Sequence, residues 1–134
     1  MIVVDTNIIA YLYLEGHRSS QVEQLLEKNS QWAVPLLWRS EFRNVLAFYI
    51  RKKHLTLEQA HQIMTEAMLL LQGQEYDIVS FHVMELVASS NCSAYDCEFV
   101  ALAEDLKTSL ITVDKKILKE FPQIAVSLDD FIGR

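Results

Sequence analysis

Glycine and proline are scarce, with three and two among 134 residues. So few breakers exclude long irregular stretches and imply mostly regular structure with short connections. Cysteine occurs only as Cys92 and Cys97. Their spacing fits neither a disulfide framework nor a zinc knuckle, so both read as small, buried or half-buried thiols in a reducing cytosol. No apolar run reaches the 18 residues that a transmembrane helix needs. The N-terminus carries no basic leader and enters a strand-like run at once, so nothing signals secretion and the expected location is cytoplasmic. Positive charge is also short, with 12 Lys and Arg against 18 Asp and Glu, a net charge of −6 and a pI near 5.1. This argues against broad, backbone-driven nucleic-acid binding. It leaves open an acidic cation site, whose bound metal returns some of the charge. Against these shortages stands 51% hydrophobic content, enough for a sizeable core in one domain over residues 1–134.

The apolar pattern alternates between strands and helices. Ile2–Val4 is a short β-branched strand, and Asp5-Thr6-Asn7 supplies N-cap chemistry for a helix from Ile8 to Leu14, ended by Gly16. Ser20 with Glu23 predicts a capping box for a helix to about Lys28. Gln31–Val34 reads as a strand closed by Pro35. A long helix follows from about Leu36 to Lys53, with Phe42, Val45, Leu46 and Tyr49 on one stripe. Thr56 with Gln59 forms another capping box, for a helix to about Leu71 stopped by Gly73; a short turn makes these two helices a hairpin. A small strand over Tyr76–Val79, a helix from Phe81 to Ser89 capped by Ser80, and a helix from Ala94 to about Leu106 capped by Ser93 come next. The strand SLITV leads to Asp114, the cap of KKILKEF, and Ile124–Val126 reads as an edge strand. Strand–helix alternation predicts an α/β fold, a mostly parallel sheet of four or five short strands with helices on both faces.

Four acids interrupt this apolar pattern: Asp5 in MIVVDTN, Glu41 in WRSEFRN, Asp96 in SAYDCEF and Asp114 in LITVDKK. Taken singly, Asp5 and Asp114 are explained as N-caps and Asp96 as the third residue of its helix. Glu41 is placed mid-helix, where capping does not explain it. Jointly, all four can converge outside the carboxyl ends of a parallel sheet, where such folds bind ligands. Carboxylates that meet there repel unless a hard divalent cation relieves them.

VDTNIIAYL, SEFRNVL, SAYDCEFVALAEDL and LITVDKKIL together resemble the motifs of PIN-domain ribonucleases, in the manner of VapC-type toxins of prokaryotic toxin–antitoxin pairs. The likeness covers essentially the whole chain in order, spacing and length. It implies an α/β/α sandwich with Asp5, Glu41, Asp96 and Asp114 as the catalytic and metal-binding acids. Thr6 and Asn7 match the polar pair after the first aspartate, and Thr112 the hydroxyl residue before the last. One departure is LKTSL, where many members have a glycine before the last strand. The resemblance further implies Mg²⁺ or Mn²⁺, single-stranded or loop RNA as substrate, an antitoxin protein as partner and a homodimer. Attack by an activated water needs no ribose 2′-OH, so the implied products carry 5′-phosphate and 3′-OH ends.

Arg39, Arg43, Lys115 and Lys116 flank the acids and are the candidates for holding RNA phosphates. Arg51, Lys52 and Lys53 instead suit the negative end of their helix. His17, His54, His61 and His82 share no ligand spacing. Trp32, Trp38, Phe48 and Tyr49 could stack bases, but aromatics at helical spacing are more often core. The early helices could leave a groove for an antitoxin helix. A housekeeping PIN nuclease without an antitoxin, or a catalytically idle scaffold that binds partners, are the alternatives; the presence of all four acids argues against the second.

Overall fold

In the computed structural model, which describes residues 1–14 and 16–133, five very short strands form one parallel sheet. They are β1 (Ile2–Val4), β2 (Trp32–Pro35), β3 (Glu75–Tyr76), β4 (Leu110–Thr112) and β5 (Ala125–Ser127). Their spatial order is β3-β2-β1-β4-β5, and every pairing is parallel. Ile2, Val3 and Val4 are all buried. Successive strand side chains point to opposite faces, so both faces of β1 are covered. Its β-branched residues suit a strand buried on both sides.

The helices are α1 (Thr6–Tyr13), α2 (Ser19–Lys28), α3 (Trp38–Arg51), α4 (Leu57–Leu70), α5 (Ser80–Ala88), α6 (Ala94–Leu106), α7 (Lys115–Glu120) and α8 (Leu128–Ile132). Helix α6 packs on β1, β2 and β4, with α5 against it. Helix α1 touches α2, α3, α4 and β4, while α8 seals β4 and β5 against α2. No helix among the described residues is long and apolar enough to cross a membrane. Cys92 and Cys97 are free thiols and both are buried.

Helix starts follow local chemistry. Asp5, Thr56, Ser93, Asp114 and Ser127 accept first-turn N–H groups with their side chains. The Thr56–Gln59 capping box is complete in both directions. Thr56→Ala should therefore destabilise the protein by about 1 kcal/mol, read as a lower urea midpoint at unchanged slope.

Several expectations are corrected. Ser20 and Glu23 form no capping box: α2 starts at Ser19 without a side-chain cap, and the Ser19 hydroxyl donates instead to the Tyr11 and Leu14 carbonyls. Ser80 is not a cap but the first residue of α5, which also lacks a side-chain cap. Strand β3 is only two residues, one position earlier than the pattern suggested. Pro35 is the last residue of β2 rather than a closure beyond it. Helix α3 begins at Trp38, which puts Glu41 in its first turn and not mid-helix. Helix α8 was not anticipated. The turn without glycine is made by Lys107, which takes the left-handed conformation (φ 54°) at the end of α6.

Candidate active site

The chain runs from β1 outward to β2 and β3, then returns past β1 to β4 and β5. The switch point lies between β1 and β4, and crevices in parallel sheets open there at the carboxyl ends of the strands. Asp5 follows β1 immediately, and Asp114 stands two residues beyond β4. An open cleft of about 230 Å³ at this point is lined by Asp5, Thr6, Asn7, Glu41, Asn44, Asp96 and Asp114, with Val45, Phe99 and Ile117 as its apolar walls. The four acids singled out in the sequence thus border one cavity.

Asp5 is the most deeply set. Its Oδ1 accepts the backbone N–H groups of Asn7 (3.1 Å) and Ile8 (3.3 Å), and its Oδ2 accepts the buried Thr112 hydroxyl in a short hydrogen bond. Thr112 Oγ1 in turn accepts the Asp114 N–H at 3.0 Å. One hydroxyl therefore couples the two aspartates that end neighbouring strands. Burial pushes the Asp5 carboxyl up to about 6, against its hydrogen bonds from Thr112, Ile8 and Asn7, with the charge of Asp114 adding to the rise. Asp114 Oδ1 accepts the Lys116 and Ile117 N–H groups, so it caps α7 and borders the cleft at once.

Glu41 and Asp96 face this pair from α3 and α6. The Thr6 hydroxyl donates to Glu41 Oε1 at 2.6 Å. Desolvation raises the Glu41 carboxyl, Thr6 opposes the rise, and the charge of Asp96 reinforces it. Asp96 is raised by desolvation first and by Asp114 next, with Ser93 and Lys116 acting the other way. The acids thus form a chain of like charges in which each feels the next. Among the described residues, no three His, Cys, Asp or Glu side chains are drawn tightly enough to close on an ion as they stand. The donors nevertheless suit one: carboxylates around a partly desolvated cleft, beside the hydroxyls and amides of Thr6, Asn7 and Asn44, are the hard oxygen ligands of Mg²⁺ or Mn²⁺.

The flanking cations divide. Arg39 is committed to Glu75 through a two-pronged contact (2.6 and 2.7 Å) and does not border the cleft. Arg43 donates to Ser40 on the exposed face of α3. Lys115 and Lys116 are exposed at the start of α7, and Lys116 is close enough to lower the carboxyl of Asp96. Trp32 and Trp38 are core, whereas Phe48 is 56% exposed. His82 lies between Glu104 (2.7 Å) and Asp105 (3.2 Å), away from the cleft. Two residues escaped the sequence reading. Asn44, one helical turn after Glu41, was hidden by its ordinary place on a solvated face. Glu98, two residues after Asp96, is raised by burial and by the charge of Glu41.

Comparison with known proteins agrees with this architecture. Ribonuclease VapC3 of Pyrobaculum aerophilum is 28% identical over 126 residues, 92% of this chain and 96% of that protein. The crystal structure of PAE2754 from Pyrobaculum aerophilum superposes with a TM-score of 0.78 at 16% identity, covering 99% of this chain and 94% of the other. FitAcB from Neisseria gonorrhoeae gives 0.76 at 15% identity, covering 96% and 98%. A PIN domain model matches residues 2–124, and the chain belongs to the PIN domain family.

Proposed function

We propose that this protein is a divalent-metal-dependent endoribonuclease that cleaves single-stranded or loop RNA and serves as the toxin of a toxin–antitoxin pair. The observation that carries the reading is the lining of one open cleft at the switch point by Asp5, Glu41, Asp96 and Asp114. The ribonuclease name of a relative that spans nearly the same length adds to it. The four acids would hold Mg²⁺ or Mn²⁺. When bound, such an ion supplies an activated water and neutralises charge on the scissile phosphate.

The chain's own groups prepare the site. Two backbone N–H groups and Thr112 fix the Asp5 carboxylate, and Thr6 fixes Glu41, so little reorganisation is left for the moment of reaction. Asn7 and Asn44 at the rim can donate to phosphate or ribose oxygens. Lys116 adds positive charge on the α7 side. The net charge of −6 is consistent with local positioning rather than tight general binding.

An apolar trough extends from this cleft. Asn7 and Val45 border both the cleft and a neighbouring depression, which shares Leu14 and Tyr49 with a groove of about 670 Å³ lined by Tyr13, Phe48, His54 and Leu55. An antitoxin helix laid in this groove could send a basic side chain along the trough to the acids, where it would compete with the cation. The active assembly is expected to be a homodimer in the cytoplasm.

The reading is tested with the purified chain and an end-labelled single-stranded RNA. Cleavage should require Mn²⁺ or Mg²⁺ and leave 5′-phosphate ends, and full activity in EDTA would refute it. Expression alone should arrest growth, with rescue by a small protein encoded beside it. Harmless expression with no such binder would favour the housekeeping nuclease.

A further inference from the structure

The edge of the sheet that bears the acidic cleft bears a second cleft, of about 340 Å³. Leu36, just beyond β2, and Tyr76, the last residue of β3, both line it. It therefore sits at the carboxyl ends of β2 and β3, as the acidic cleft sits at those of β1 and β4. Helix α6 links the two: Asp96 lines the first cleft, and Ala94 and Glu98, on either side of it in sequence, line the second. A strand of RNA with one phosphate over the acids would carry an adjacent nucleotide to this place.

The lining is selective in kind. Leu36, Ile78, Val83 and Met84 provide apolar surface, and the Tyr76 ring can stack. Lys and Arg do not occur among its described lining residues, whereas Asp77 and Glu98 do. Such a cleft repels phosphate and accepts a flat, apolar group with N–H donors at its edge. Its volume is near the lower end for small-ligand pockets, roughly 300–1,000 Å³. A carboxylate can accept two parallel N–H donors. Guanine presents such a pair, N1–H beside N2–H, on its Watson–Crick edge. Adenine and cytosine set one amino group beside an acceptor, and uracil flanks its single N–H with two carbonyls.

We propose that this second cleft seats a guanine next to the scissile phosphate, and that Glu98, with Asp77, is the specificity-determining residue. The inference deepens the nuclease reading and rests on it for the position of the phosphate. Its binding half is tested separately, with nucleosides that carry no phosphate. Guanosine added to the protein should shift the backbone amide signals of Asp77–Met84 and Ala94–Glu98 in heteronuclear NMR spectra, and uridine should do so least. Glu98→Gln, which swaps one acceptor oxygen for a donor at nearly constant shape, should weaken guanosine at least fivefold, the scale of a lost bidentate base contact. The same spectrum reports whether the variant is folded.

In cleavage of a randomised single-stranded RNA pool with Mn²⁺, wild type should favour guanine at one fixed position beside the cut. Glu98→Gln should lose that preference while still cutting. Equal responses to guanosine and uridine, or an unchanged guanine preference in both Glu98→Gln and Asp77→Asn, would overturn the proposal. Concentration-dependent shifts of these amides that no nucleoside alters would assign the face to a second copy of the chain and overturn it as well. Guanosine binding without RNA cleavage would sink the nuclease reading and leave the pocket standing.

Discussion

Asp5→Asn and Asp96→Asn should each lower metal-dependent RNA cleavage by at least about 100-fold, the scale on which single preorganised electrostatic groups act in enzyme sites. The amide preserves shape but removes the charge that would hold the cation. At Asp5 the fold should survive: Asn Oδ1 can still accept from Asn7 and Ile8, and its amide can donate to Thr112. At Asp96 the cap of α6 is the Ser93 hydroxyl oxygen accepting the Asp96 backbone N–H, which the substitution does not touch. Single-turnover cleavage at saturating Mn²⁺, beside thermal unfolding, separates lost chemistry from lost structure. An unchanged rate in both variants would exclude these carboxylates from the reaction.

Trp38→Ala should cost about 3–5 kcal/mol, the range for emptying a large buried aromatic site. Trp38 is fully buried against Phe42, with ring centroids 5.8 Å apart, and its indole N–H donates to Glu75 Oε2 at 2.7 Å. The urea midpoint should fall by on the order of 2 M, given a slope of roughly 1–3 kcal/mol/M. Phe48→Ala on the same helix, more than half exposed, should stay within about 0.5 kcal/mol. Its effect should instead appear as weaker binding of the proposed antitoxin. A loss below about 1 kcal/mol for Trp38 would contradict the packing described for α3.

What the sequence revealed followed from features that repeat or act locally. The β-branched run at Ile2–Val4, the apolar strand Leu110–Thr112, and the side-chain caps at Asp5, Thr56, Ser93 and Asp114 are decided within a few residues of chain. The predicted Ser20 cap failed because tertiary structure offered a nearby hydroxyl, that of Ser19, two carbonyls at the end of α1. The apolar residues Leu36 and Leu37 blend into the stripe of α3, yet Leu36 still donates its N–H to the Tyr76 carbonyl of β3. Arg39 looked available for phosphate because nothing in the sequence announces Glu75, which lies 36 positions away. Glu98 went unremarked because a second acid near a helix start resembles ordinary surface charge. Its place in a second cleft depends on β2, β3 and α5, and only the folded chain brings these to α6.

The Thr112–Asp5 hydrogen bond joins residues 107 positions apart, and β1 gains its second neighbour only when β4 arrives. Translation is vectorial, at roughly 5–20 residues per second. For on the order of ten seconds, therefore, Asp5 waits for Asp114 to be made. Non-local pairing of this kind also folds slowly. A nascent chain halted before Leu110 carries Asp5, Glu41 and Asp96 on an unfinished sheet, lacking the hydroxyl that orients the first acid and lacking the fourth. For the proposed nuclease this order of events is protective: the site lacks its fourth acid, and the hydroxyl that orients its first, until β4 and Asp114 have been made.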